Sequence, residues 1–80
     1  MKARVQVFFK TGVLDPQGRA IAGALGNLGF EGVIGVRQGK LIEIDLEDTD
    51  EESARTQVVA MCEKLLANTV IETYAIELEP

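Results

Sequence analysis

The chain opens on an alternation of apolar and polar positions. From Ala3 to Lys10, the residues Ala3, Val5, Val7 and Phe9 fall on one side and Arg4, Gln6, Phe8 and Lys10 on the other. Successive side chains of a strand point to opposite faces, so this stretch predicts a half-buried β-strand. The period changes after Asp15-Pro16. An aspartate accepts from the free amides of a helix start, and proline loses nothing at the first helical position, so the pair predicts an N-cap and the residue after it. Ile21, Ala24, Leu25 and Leu28 then recur at helical spacing, and Gly29 suits the left-handed residue that closes such a helix.

Val33 to Glu47 predicts two strands around Arg37-Gln38-Gly39-Lys40. Ile34 and Val36 form the apolar set before the turn, and Ile42, Ile44 and Leu46 form it after. Setting Val36 across from Ile42 requires a loop of three residues, Gln38 to Lys40. A two-residue loop would place Ile34 beside Glu43 and put a carboxylate on the core face. Asp48-Thr49-Asp50-Glu51-Glu52 then crowds acids where the positive end of a second helix favours them. Ala54, Val58, Met61, Cys62, Leu65 and Leu66 make that helix's apolar stripe, and Asn68 can end it. Val70 to Glu79 alternates again, with Tyr74, Ile76 and Leu78 inward and Thr73, Ala75, Glu77 and Glu79 outward.

Strand, helix, strand, strand, helix, strand is the α+β, ferredoxin-like split βαββαβ order, here one domain over residues 1–80. It predicts two helices on one face of a four-stranded antiparallel sheet. The last, first and third strands are neighbours in that plan. Their outward residues line up as Glu77 and Glu79, Arg4 and Lys10, then Glu43, Asp45 and Glu47, acidic beside basic beside acidic. The same open face is expected to carry Phe8, Val33, Leu41 and Ala75. A core this small yields only about 3–5 kcal/mol by itself, so the face is read as a self-association surface of a homodimer or homotetramer. The competing reading is a solvated sheet face, since exposed apolar residues are common.

Composition narrows the classes of function. A chain with 46% hydrophobic and 26% charged residues is globular. One cysteine and no histidine leave no intrachain disulfide and none of the usual zinc ligand sets. The N-terminus has no continuous apolar run, which argues against a signal peptide or membrane span and makes a cytoplasmic location the expectation. A net charge of −5 opposes a nucleic-acid partner, whose phosphates select basic surfaces. Phe8, Phe9, Phe30 and Tyr74 are too scattered to stack bases.

"KTGVLDPQGRAI", Lys10 to Ile21, has the residue types of a phosphate-binding loop but not its spacing. That motif needs four residues between its glycines and then Lys-Ser/Thr, because the lysine reaches the phosphates and the hydroxyl binds magnesium. Here five residues separate Gly12 from Gly18, and Arg19-Ala20 follow. A turn and a cap explain the stretch as it stands. Cys62 lies mid-stripe, where a buried small hydrophobe is expected, and Ser53 has no base nearby in sequence. The carboxylates gather at a helix start and on strand faces, where solvation accounts for them. No catalytic, cofactor-binding or metal-binding residue is predicted. Gln38-Gly39-Lys40 reads equally as a hairpin tip and as a docking point or anion contact.

Two stretches together carry a resemblance. "GVLDPQG" (Gly12 to Gly18) and "VRQGK" (Val36 to Lys40) resemble the signature stretches of the PurS family, the small subunits of phosphoribosylformylglycinamidine (FGAM) synthase in purine biosynthesis. "LGF" at Leu28 to Phe30, "IEIDLE" at Ile42 to Glu47 and the acidic second helix extend the likeness over the whole chain. Gln6, Phe8 and Phe9 depart from it by making the first strand less β-branched. The resemblance implies a subunit of a glutamine-dependent, ATP-consuming ligase without catalytic residues of its own. It implies that a synthetase subunit, PurL, handles ATP, magnesium and the ribonucleotide, and that a glutaminase subunit, PurQ, supplies ammonia. This chain would hold the two together, with a part in ammonia transfer left open. Lys10, Gly12, Asp15, Pro16, Gln17, Gly18, Arg37, Gln38, Gly39 and Lys40 become the expected partner interface. The split plan does not require the two loops to share an end of the sheet, so each can meet a different partner. An ACT-like ligand-binding regulatory domain shares the element order and is the alternative. An acylphosphatase-like hydrolase also shares it, but Asn27 and Asn68 at helix ends do not suit its catalytic asparagine.

Overall fold

The alternating N-terminal segment becomes the middle strand of the sheet. In the computed structural model, which describes residues 1–80, β1 (Lys2–Phe9) is flanked by β2 (Lys40–Asp45) and β3 (Glu72–Glu79) in the order β2-β1-β3. Both pairings are antiparallel. Arg4 stands opposite Glu43 on one side and Glu77 on the other, and Val5 opposite Ile42 and Ile76. The predicted neighbour relations and the acidic–basic–acidic cross-section are therefore present. Arg4 joins them: its Nε donates to Glu43 at 3.2 Å and its Nη1 to Glu79 at 2.5 Å.

Helix α2 (Glu51–Met61) covers the other face. Asp50 caps it, accepting from the Ser53 amide at 2.9 Å, and Glu51 and Glu52 occupy its first turn, where the helix dipole favours acids. Its stripe meets the inward set of β1, so Ala3, Val5, Val7, Val58 and Cys62 are fully or almost fully buried. Ile42, Ile44, Tyr74, Ile76 and Leu78 pack around them. The helix ends in a π-helical turn, Cys62–Leu66, closed by the Ala67 amide on the Cys62 carbonyl at 3.1 Å. Tyr74 Oη donates to Glu63 at 2.7 Å and so fastens this end of the helix to β3.

Helix α1 (Pro16–Asn27) starts and stops as predicted. Asp15 is its N-cap, Pro16 follows, and Gly29 at φ +92° lies past its end. The Gly29 amide reaches the Gly26 carbonyl at 3.0 Å and the Phe30 amide the Leu25 carbonyl at 3.1 Å, the paired bonds of a Schellman motif. Its placement differs from expectation. The helix stands off the sheet instead of lying beside α2, leaving Ile21 partly exposed and Leu28 74% exposed.

The predicted hairpin is also absent. Residues 28–39 contain no strand, and Ile34 is fully exposed. Backbone of the expected strand and of its turn is engaged elsewhere: the Val36 carbonyl lies against Gly18, and the Gln38 amide donates to Asp15. Arg37-Gln38-Gly39-Lys40 is consequently a crossing segment and not a tip, and Lys40 pairs with Val7 of β1. Val33, expected on the open sheet face with Phe8, Leu41 and Ala75, belongs to this unpaired segment and is not on the sheet. Leu65, expected in the buried stripe, is 83% exposed beside an uncovered groove. The departure shows in overall shape. The chain measures 49 × 26 × 15 Å with a radius of gyration of 16.0 Å, where a compact chain of this length has about 12 Å.

The Tyr74–Glu63 contact gives a direct check on how α2 docks. Hydrogen bonding to the Glu63 carboxylate, reinforced by desolvation, pushes the phenol up to about 12. Tyr74 is the only tyrosine and there is no tryptophan, so ultraviolet titration reads this one group. A midpoint near 12 is expected for the parent chain, and one near the ordinary value of about 10 for Glu63→Gln.

Candidate functional site

The two signature stretches meet at one end of the molecule, and Asp15 joins them. Its Oδ1 accepts from the Gly18 amide at 2.9 Å within α1, and its Oδ2 accepts from the Gln38 amide at 2.8 Å, twenty-three positions away. The Gln38 side-chain amide also donates to Gln17 Oε1. Arg37 reaches back to the end of β1, with Nη2 donating to the Phe9 carbonyl at 2.6 Å and the guanidinium 5.3 Å from the centre of the Phe8 ring.

Glycine is needed at two of these crossings. A Cβ on Gly18 would collide with the Val36 carbonyl, and one on Gly39 would lie 2.5 Å from the Val7 carbonyl and 2.6 Å from the Phe8 ring. Both backbones approach closer than any side chain permits. The loop from β1 into α1 is fixed at its root, since the Lys10 amide donates to Ile71 at 2.8 Å and the Val13 amide to Lys10 at 3.1 Å.

Two clefts adjoin Asp15. One, about 340 Å³, is lined by Lys10, Arg19 and Arg37 together with Val13 and Leu14. The other, about 370 Å³, is lined by Pro16, Gln17, Gln38, Gly39, Lys40 and Glu72. The structure thus gathers Lys10, Gly12, Asp15, Pro16, Gln17, Arg37, Gln38, Gly39 and Lys40 around one rim, with Gly18 buried beneath. The expectation that the loops could lie at opposite ends is corrected: the bonds of Asp15 hold them together. Sequence reading missed Arg19, Leu14 and Glu72. Arg19 carried a signal, an arginine one helical turn after the cap in an acidic chain; Glu72, 3.9 Å from Lys40, carried none.

Binding chemistry is what this end offers. Cys62 is buried in the core, where desolvation and the Glu63 carboxylate raise its thiol above the ordinary value. The amides of Gln38 and Gly18 hold the Asp15 carboxyl below the usual aspartate range. No three side chains of the metal-ligating types converge. On the open sheet face Leu41 and Ala75 flank Gln6 across the strands, and Phe8 lies beyond them, partly covered by Arg37.

Comparison with known proteins turns this geometry into an assignment. A family model described as PurS, phosphoribosylformylglycinamidine (FGAM) synthase, matches residues 2–80. The chain belongs to the PurS family. A Mycobacterium leprae PurS subunit is 49% identical over 98% of this chain and 95% of its own length. The crystal structure of Methanocaldococcus jannaschii PurS, described as one of the subunits of formylglycinamide ribonucleotide amidotransferase, superposes with a TM-score of 0.89. It is 47% identical and the match covers 98% of this chain and 94% of that one. A chain of the PurLQS structure from Thermotoga maritima superposes at 0.86, with 34% identity over 95% of this chain and 93% of that one. No helix is long and apolar enough to cross a membrane.

The Asp15 bridge makes a pH-dependent prediction. Its folded-state pKa is lowered, so its stabilisation is fully present above the ordinary value of about 3.9. It is lost as pH falls through the lower folded value. Asp15→Asn is expected to lower the thermal midpoint at neutral pH, with the gap to the parent closing on acidification below that range. Thermal melts followed by circular dichroism from pH 7 to pH 2 measure it.

Proposed function

We propose that this chain is the non-catalytic small subunit of an FGAM synthase, assembling a PurL-type synthetase with a PurQ-type glutaminase. ATP, magnesium and the ribonucleotide belong to the synthetase in this reading, and the complex works in the cytoplasm. The carrying observation is the end built around Asp15. It holds both signature stretches rigidly outward, and it contains no nucleophile with a base beside it. Loops held by internal hydrogen bonds and close glycine contacts suit recognition, because little ordering entropy is lost on docking. The relative found in a PurLQS structure supports the same partners. Since one bridge unites the loops, both bear on the same partner surface.

The test is reconstitution. The parent chain should co-purify with synthetase and glutaminase subunits in the presence of glutamine and ATP, and should show no turnover alone. Lys40→Glu, whose only ion pair is the long contact to Glu72 at 3.9 Å, should leave the thermal midpoint nearly unchanged. It should weaken assembly, with glutamine-dependent synthesis falling further than synthesis from free ammonia. Assembly and glutamine use equal to the parent would remove these loops from the interface.

The same reading includes a second copy of the chain. The stripe of α1 is uncovered, and so is a groove on α2 and β2 lined by Ile44, Met61, Leu65 and Leu66. The groove lies on the sheet face beside α2, where a second helix was expected. One chain thus presents both an unpartnered apolar helix and an unfilled seat for one, and the arm of a second copy completes each. Burying a leucine contributes roughly 1.5–3 kcal/mol, so Leu65→Asp should weaken self-association at least tenfold. Sedimentation should give a multiple of 8.7 kDa for the parent; a purely monomeric parent at micromolar concentration would overturn this.

A further inference from the structure

The cleft bounded by Lys10, Arg19 and Arg37 has a charge that the rest of the protein lacks. The chain has eight lysines and arginines and a net charge of −5. Lys2, Arg4, Lys40 and Arg55 each sit within ion-pair distance of a glutamate. Of the four left without an acidic partner, three line this one cleft, and the fourth, Lys64, lies in the π-helical turn after α2. The one carboxylate lining the cleft, Asp15, has both oxygens occupied by the Gly18 and Gln38 amides. Three cations thus face a single carboxylate already committed to the fold.

Holding like charges together costs free energy that an unliganded chain gains nothing from. The fold nonetheless gathers them: the Arg37 guanidinium is anchored on the Phe9 carbonyl, and the backbone of Lys10 is held to Ile71 at the end of β1. Val13 and Leu14 line the same cleft, and Leu14 is 61% exposed. Apolar side chains beside unpaired cations match a peptide surface better than a small, fully hydrated anion.

Building on the assembly reading above, we propose that this cleft is the seat for an acidic segment of a partner subunit. Carboxylates of that segment engage Lys10, Arg19 and Arg37, and a neighbouring apolar side chain packs on Val13 and Leu14. Opposite charges at such a rim accelerate encounter and fix register, and the contribution is screened by salt.

Lys10→Glu and Arg19→Glu, made singly, test the proposal; neither side chain has a hydrogen-bond or ion-pair partner within the chain, so both variants should fold. Arg55→Glu, on the far surface of α2, is the control with the same change in net charge. Affinity for the reconstituted synthetase and glutaminase is measured between 50 and 500 mM NaCl. Each cleft variant should bind at least tenfold more weakly than the parent at low salt and lose most of the parent's salt dependence, while the control keeps both. If the parent assembles and the cleft variants match the control, the acidic-segment proposal falls and the assembly reading stands. If the parent does not assemble at all, both fall. Inorganic phosphate shifting the amide resonances of residues 11–19, with assembly unaffected by Arg19→Glu, would also overturn it by giving the cleft to a small anion.

Discussion

The bridge from Asp15 to both the α1 start and the crossing segment sets what the rest of the chain can do. A carboxylate that accepts from an N3 amide is a familiar cap, contributing locally. Here the second oxygen takes the amide of Gln38, the first residue of the turn that the predicted hairpin required. Hydrogen bonds to an ionised acceptor are the stronger kind. The bond therefore competes effectively with a hairpin, and with Gly18 under the Val36 carbonyl the segment after α1 is drawn to the helix start instead of to the sheet edge.

The packing follows from that choice. With the crossing segment pinned, α1 and residues 28–36 project as an arm, and the fully buried side chains larger than alanine reduce to Val5, Val7, Val58 and Cys62. A core of that size is marginal, while the arm exposes apolar surface that a stable monomer would cover. Fold stability and self-association are consequently one problem in this chain. The interaction that gathers the two signature stretches at one end also leaves the core small and the stripe of α1 uncovered.

Local signals in the sequence were legible; long-range ones were legible only where a periodic face dictated them. The strand β1, the Asp15-Pro16 start, the Gly29 stop and the acidic opening of α2 are each written in a few adjacent residues, and each lies where expected. The neighbour order β2-β1-β3 followed from the βαβ plan, and the Arg4 pairs followed from it in turn. The hairpin and the seat of α1 were not legible. Ile34 and Val36 alternate like any strand, and α1's stripe reads like any helix that lies on a sheet. Periodicity reports that a face wants cover, not which chain supplies it. The Asp15 end was half legible: "GVLDPQG" and "VRQGK" singled out the residues, but their union rests on the Asp15–Gln38 bond, which no spacing rule encodes.

Charge placement explains why binding chemistry concentrates where it does. On the open sheet face Arg4 is shared between Glu43 and Glu79, so its charge is largely satisfied within the chain. On α2 Arg55 has Glu51 one turn away, the ordinary pairing of an exposed helix surface. Apart from Lys64, the basic residues left without an ion-pair partner are therefore those around Asp15, whose two oxygens accept from backbone amides. Committing one carboxylate to two amides locks the loops, and its single charge is left to face three cations, Lys10, Arg19 and Arg37. Rigidity and uncompensated charge are the two properties that favour recognition, since preformed, oppositely charged surfaces lose little order on binding.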